Sequence, residues 1–240
     1  MAGVVEPSVP SGSPPFCRHA LSTVDLHVTV GRWALEMGGA DGAIRWLDRA
    51  IQKDPDHSGA LMYRAMAYAD KRELDRAILE FGEVIRLDPR SYSAFLSRGL
   101  SVIKTGDFDR AIRDFGEALR FGPNEAIVFF YRGAAFTSKG DYHRAITDYT
   151  EAVELAPTAS FHNARAWAYL KAGRAAEGLP DAERALQLSP GFADALDTRA
   201  HIFEALGRHD EAIADFRRAL AIDPSIEGSK DGPRRLGAEP

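Results

Sequence analysis

The sequence predicts an all-α protein, a solenoid of stacked helix hairpins, and three observations predict it. Prolines recur on a fixed ruler. Small residues recur on that ruler at helical spacing, and turn residues fall once between the two helical stretches of each unit.

The prolines are Pro55, Pro89, Pro123, Pro157, Pro190 and Pro224, in steps of 34, 34, 34, 33 and 34 residues. With each proline at position 32 of a unit, the units begin at Val24, Ser58, Tyr92, Ala126, Ala159 and Ala193. The short step fits in the linker after Pro157, where a deletion disturbs the helices least. Each proline stops a helix, because it has no N–H to donate and disfavours a helical residue before it.

Within this frame, position 8 is small in every unit: Gly31, Ala65, Gly99, Gly133, Ala166, Ala200. Position 20 is Ala43, Ala77, Ala111, Ala145, Gly178, Ala212, and position 27 is Ala50, Val84, Ala118, Ala152, Ala185, Ala219. Position 24 is bulky in five of six units (Leu47, Phe81, Phe115, Tyr149, Phe216), with Ala182 the exception. Spacings of 4, 8, 11 and of 20, 24, 27 are those of two amphipathic helices. Gly or Asp near positions 15 and 16, as in KTGDF and SKGDY, supplies the turn between them. One such hairpin cannot bury its own apolar faces, whereas stacked copies form a continuous core.

A period of 34 with small residues at 8, 20 and 27, an aromatic at 24 and Pro at 32 resembles the tetratricopeptide repeat family over roughly residues 24–225. The resemblance implies a right-handed superhelix with a concave groove that holds other proteins. The expected organisation is a disordered segment rich in Pro, Ser and Gly at 1–23 and six repeats at 24–226. Their bounds are 24–57, 58–91, 92–125, 126–158, 159–192 and 193–226, and a tail or weak capping segment follows at 227–240. Gly228, Gly232 and Pro233 make that tail a poor helix, although it offers Ile226 and Leu236 for packing. Gly178 and Pro180 inside the second helix of repeat five predict a kinked or late start there.

A second correlation stands apart from the family pattern. Position 7 is Arg64, Arg98, Arg132, Arg165 and Arg199 in repeats two to six, and position 23 is Glu80, Asp114, Asp148, Asp181 and Asp215. Around a turn near position 15 these positions lie at similar height, which predicts a ladder of acid–base pairs, within or between repeats, with a structural role.

Nothing in the chain carries the pattern of an enzyme. The seven histidines show no i, i+4 pair and no HExxH, and no GxxxxGK[ST] phosphate loop occurs, so no metal and no cofactor are expected. Asp54, Asp56 and His57 could share a cation, but a solvated loop between repeats accounts for them. Cys17 and His19 fall in the N-terminal segment, where no fold would hold them in geometry. A net charge of −5 argues against nucleic acid as a partner. No run of 18 apolar residues exists to span a membrane, and the N-terminus lacks the pattern of a secretory signal. The cytoplasm is the expected compartment.

Function is therefore expected in the groove, which the resemblance assigns to positions 2, 5, 9, 12 and 13 of the first helices. There the sequence places Met62, Met66, Leu96, Leu100, Phe130 and Trp167 in the middle, with Asp197 and His201 toward an acidic far end. Trp167 and Met66, both at position 9, are the strongest candidates for exposed contact. Lys104 and Lys171 at position 13, with Asn163 the sole groove Asn, do not complete the basic clamp with which the family grips acidic chaperone tails. The expected function is a non-catalytic scaffold or adaptor binding a protein or peptide, with the acidic end favouring a basic flank. The rival readings are a self-associating structural oligomer and a substrate-selecting adaptor for a separately encoded enzyme.

Overall fold

The structure is a computed structural model that describes residues 22–238; Cys17, His19 and nearly all of the expected N-terminal segment lie outside the described residues. The described residues contain no strand and fall into two compact units that part between Thr105 and Gly106. The first unit holds α1 (Thr23–Glu36), α2 (Ala40–Lys53), α3 (Ser58–Asp70), α4 (Leu74–Leu87) and α5 (Tyr92–Ile103). The second begins with α6 (Phe108–Phe121), α7 (Ala126–Ser138), α8 (Tyr142–Leu155) and α9 (Ala159–Lys171). It continues with α10 (Ala175–Leu188), α11 (Ala193–Ala205), α12 (His209–Ile222) and two short helices, α13 (Glu227–Lys230) and α14 (Gly232–Arg235). In each unit successive helices pack as antiparallel neighbours, and first helices also touch the next first helix, α1 on α3 and α7 on α9 on α11. This is the all-α solenoid architecture that the sequence predicts.

The starts of α3, α5, α7, α9 and α11 coincide with the proline ruler. Their ends are set by backbone geometry. Position 15 takes a positive φ in every repeat, at Gly38, Gly106, Gly140, Gly173 and Gly207, and at Arg72 with φ of 61°. Only a residue in that left-handed region lets the next N–H reach back five residues to the helix, as Asp141 does to Phe136 at 2.9 Å and Arg174 to Tyr169 at 2.9 Å. Asp107 and Asp141 then cap the following helices by accepting from the backbone N–H three residues on. The residue before each ruler proline is extended, for example Asp88 with φ of −129° and Ser189 with φ of −143°, and ends the second helix. His57 caps α3 by accepting from the Ala60 N–H at 3.1 Å, and Asp56 pairs with Arg86 at 3.2 Å. Two of the three residues that could share a cation are thus engaged otherwise.

The small columns at positions 8, 20 and 27 are buried in all six copies. A Cβ added at Gly133 would stand 2.9 Å from the Tyr149 ring, so in repeat four the glycine makes room for the position-24 side chain. Repeat five solves the same problem the other way. Its Ala182 supplies no ring, and Gly178 brings α10 so close to α9 that an added Cβ would lie 2.8 Å from the Ala166 carbonyl oxygen. Leu170, Leu179 and Ile202 fill the volume. The late start expected from Gly178 and Pro180 does not occur, since α10 has the same 14 residues as α8 and α12. The glycine is held by packing, and the proline costs one intrahelical bond near the N-terminus, where the Glu177 N–H bonds the Arg174 carbonyl three residues back.

The charge ladder forms within repeats. Arg132 donates to both oxygens of Asp148 at 2.8 and 2.7 Å, Arg165 to Asp181 at 2.7 and 2.8 Å, and Arg199 to Asp215 at 2.6 and 3.0 Å. Arg64 pairs with Glu80 at 2.6 Å and also with Asp48 of the preceding repeat. The acids are buried at 7% exposure or less in the three aspartate pairs, so each fork satisfies a carboxylate that could not remain charged alone.

The C-terminal segment packs on the last repeat as two short turns, α13 and α14 against α12. Ile226 and Leu236 both join core clusters, the latter beside Ala200, Phe203 and Phe216. Gly232 lies flat against the Phe216 ring with no room for a side chain. The residues that spoil the helix are those that let the chain approach this ring.

Candidate functional site

In the first unit, Met62 is half-buried and packs with the Leu61 and Phe81 clusters, while Met66 on the same helix is 38% exposed. Leu96 and Leu100 on α5 are half-buried. In the second unit, Phe130 of α7 is packed by rings, with its centroid 4.9 Å from Phe161 and 5.8 Å from Tyr149. It welds α7 to α8 and α9 more than it presents a surface.

Trp167 and His201 do come together. They sit one repeat apart on α9 and α11, edge to face at 6.0 Å, and His201 in turn stands on Phe216 at 4.9 Å. This is the chemistry of position 9 repeated on neighbouring first helices, each ring propping the next. Around them opens a pocket of about 550 Å³, walled by Trp167, Leu170 and Lys171 of α9 and by His201, Glu204 and Ala205 of α11. Tyr142, the first residue of α8, closes one side. It escaped the sequence reading because it lies on a second helix. The column that it shares with Phe108 at position 17 was the available signal.

Two acids of this end, Asp197 and Glu204, are engaged by the C-terminal segment. Asp197 accepts from the Ser229 hydroxyl at 2.6 Å and lies 3.8 Å from His201 Nε2. Glu204 accepts two bonds from Arg235, each at 2.7 Å, and lies 3.4 Å from His201 Nδ1. The Arg235 hydrogen bonds hold the Glu204 carboxyl below the usual glutamate value. Arg235 falls 34 residues after His201, itself 34 after Trp167, so the segment continues the position-9 column onto the end of the array. Lys171 lays its ammonium over the Trp167 ring at 5.0 Å. Asn163, on the same helix, buries its side-chain oxygen with no hydrogen-bond partner.

His162 of α9 marks a departure that the columns did not flag. It occupies position 4, where Leu61, Phe95, Phe129 and Leu196 stand in four other repeats and His27 in the first. Its Nδ1 lies 2.8 Å from Asp181 Oδ1 and must carry the proton there, since the carboxylate only accepts. Asp181 thus has three donors, from Arg165 and His162 together.

Among the described residues no helix is long and apolar enough to cross a membrane, and no three His, Cys, Asp or Glu side chains are grouped to hold a metal. No curated protein matches the sequence. Among solved structures, PilW, a widely conserved type IV pilus biogenesis factor, superposes with a TM-score of 0.74 at 18% identity, over 88% of this chain and 98% of its own. YrrB, a TPR protein with an unusual peptide-binding site, superposes with 0.67 at 19% identity over 78% and 97%. MamA from Desulfovibrio magneticus RS-1 gives 0.68 at 17% identity over 71% and 97%. These likenesses establish the fold. The sequence itself matches tetratricopeptide repeat models over residues 31–93, 96–160 and 193–226, more than half of its length. The chain therefore belongs to the tetratricopeptide repeat family.

Proposed function

We propose that the chain is a non-catalytic scaffold that binds a protein segment on its first-helix face, centred on Trp167 in the second unit. The tetratricopeptide repeat fold is one of protein–protein interaction, and the observation that carries the finer reading is the pocket around Trp167. About 550 Å³ lies within the range of roughly 300–1,000 Å³ typical of ligand sites. Its wall sets Trp167, Tyr142, Leu170 and Ala205 beside Lys171, His201 and Glu204, an aromatic anchor with charged groups around it. YrrB, of the same fold, carries a peptide-binding site, and an extended or helical peptide is the occupant proposed here. Once a peptide ligand has been selected on the full chain, Trp167→Ala should weaken its binding by about 2 kcal/mol or more. Unchanged affinity in that variant would move the binding surface elsewhere.

A further inference from the structure

The charge of the Trp167 pocket differs from the charge that its sequence suggests. Asp194, Asp197 and Glu204 give this end an acidic composition, yet Asp194 is not part of the pocket wall and the other two are already satisfied inside the chain. Ser229 donates to Asp197, Arg235 forks onto Glu204, and His201 lies between the two acids. Lys171 is in the opposite position. Among the described residues its ammonium rests over the Trp167 ring at 5.0 Å, and no carboxylate stands within ion-pair distance of it. An ammonium resting on an indole is held weakly in water compared with one paired to a carboxylate and shielded by apolar surface.

We infer that the segment this pocket takes carries an aspartate or glutamate beside a large apolar side chain, and that Lys171 reads the acid. The inference rests on the reading of the preceding subsection and reverses the basic flank that composition alone suggests. The partner's carboxylate draws the Lys171 ammonium off the indole. The uncovered ring face, with Leu170 and Tyr142, then receives the neighbouring apolar side chain. Acid and anchor are thus recognised together, because the first uncovers the surface that the second needs. A basic flank meets Lys171 as a like charge, and it must compete with Arg235 for Glu204 before it finds a free carboxylate.

Selecting a random-peptide library on the full chain, in parallel with Trp167→Ala and Lys171→Glu, tests this. Peptides that need Trp167 are expected to carry an acid next to, or one residue from, a large apolar residue. Reversing the charge at position 171 should weaken them about tenfold or more and shift the selected flanks to Lys and Arg. Trp167-dependent peptides with basic flanks or no charge bias, or flanks unchanged by Lys171→Glu, would overturn the inference and leave the pocket reading standing. Peptides indifferent to Trp167, or no enrichment at all, would remove both.

Discussion

Repeats four and five lie side by side in the second unit and fill the same frame in opposite ways. In repeat four a glycine on the first helix, Gly133, yields to a ring on the second, Tyr149, whose burial pushes its hydroxyl up to about 12. In repeat five the second helix supplies the glycine, Gly178, the ring is absent, and the two backbones approach instead. The acid pairs differ as well, Asp148 having one cation and Asp181 having Arg165 with His162 in addition. The hairpin therefore tolerates exchange of its filling provided that volume and hydrogen bonds are conserved. It also places Trp167 on the hairpin whose core does not need a large side chain.

The largest expected difference comes from the ring. Tyr149→Ala should cost about 3–5 kcal/mol in urea unfolding, because nothing else can fill the space over Gly133. The reverse change, Ala182→Tyr, should overpack repeat five by about 1–3 kcal/mol and bring no gain. A stabilised Ala182→Tyr variant would show that repeat five has an unfilled cavity, and the comparison would fail.

The charge ladder comes next. Arg132→Met leaves Asp148 buried with no cation and should cost about 3–5 kcal/mol. Arg165→Met leaves Asp181 the His162 donor and should cost measurably less. Equal losses would mean that His162 contributes nothing to holding Asp181. Adding Asp148→Asn to Arg132→Met should restore part of the stability, and a coupling near zero would dissolve the pair.

A smaller effect separates the two glycines. Gly178→Ala sets a methyl group against a backbone carbonyl, whereas Gly133→Ala meets a ring that can shift. The former should therefore lose more, within about 1–3 kcal/mol. The opposite order in thermal or urea unfolding would place the tighter approach in repeat four.

Much of this was legible in the sequence because it is periodic. The proline ruler located the starts of five first helices, the small columns marked the buried positions, and the Arg and Asp columns named the pairs. What escaped was whatever the period does not carry. Gly178 and Pro180 read as helix weakness by propensity, but close packing on Ala166 overrides propensity. Gly232 and Pro233 read as a broken tail, although the break seats the chain on Phe216. His162 shares its column with His27, but His27 meets the Trp46 ring at position 23 where His162 meets an acid, so the column alone did not expose its role. For the candidate site, the family resemblance assigned Trp167 and His201, both at position 9, to one face. That Asp197 and Glu204 are engaged by Ser229 and Arg235 depends on contacts across about thirty residues that no pattern announces.

The central claim is that α9 turns one face to the core and another to a partner. Equilibrium unfolding of Trp167→Ala beside Phe115→Ala, both in the full chain, tests it most directly. Phe115 is fully buried at position 24 and its truncation should cost about 3–5 kcal/mol. Trp167 is only half-buried, and its truncation should change stability by no more than about 1 kcal/mol. If Trp167→Ala unfolds as readily as Phe115→Ala, the indole belongs to the core and the pocket around it is not a binding site.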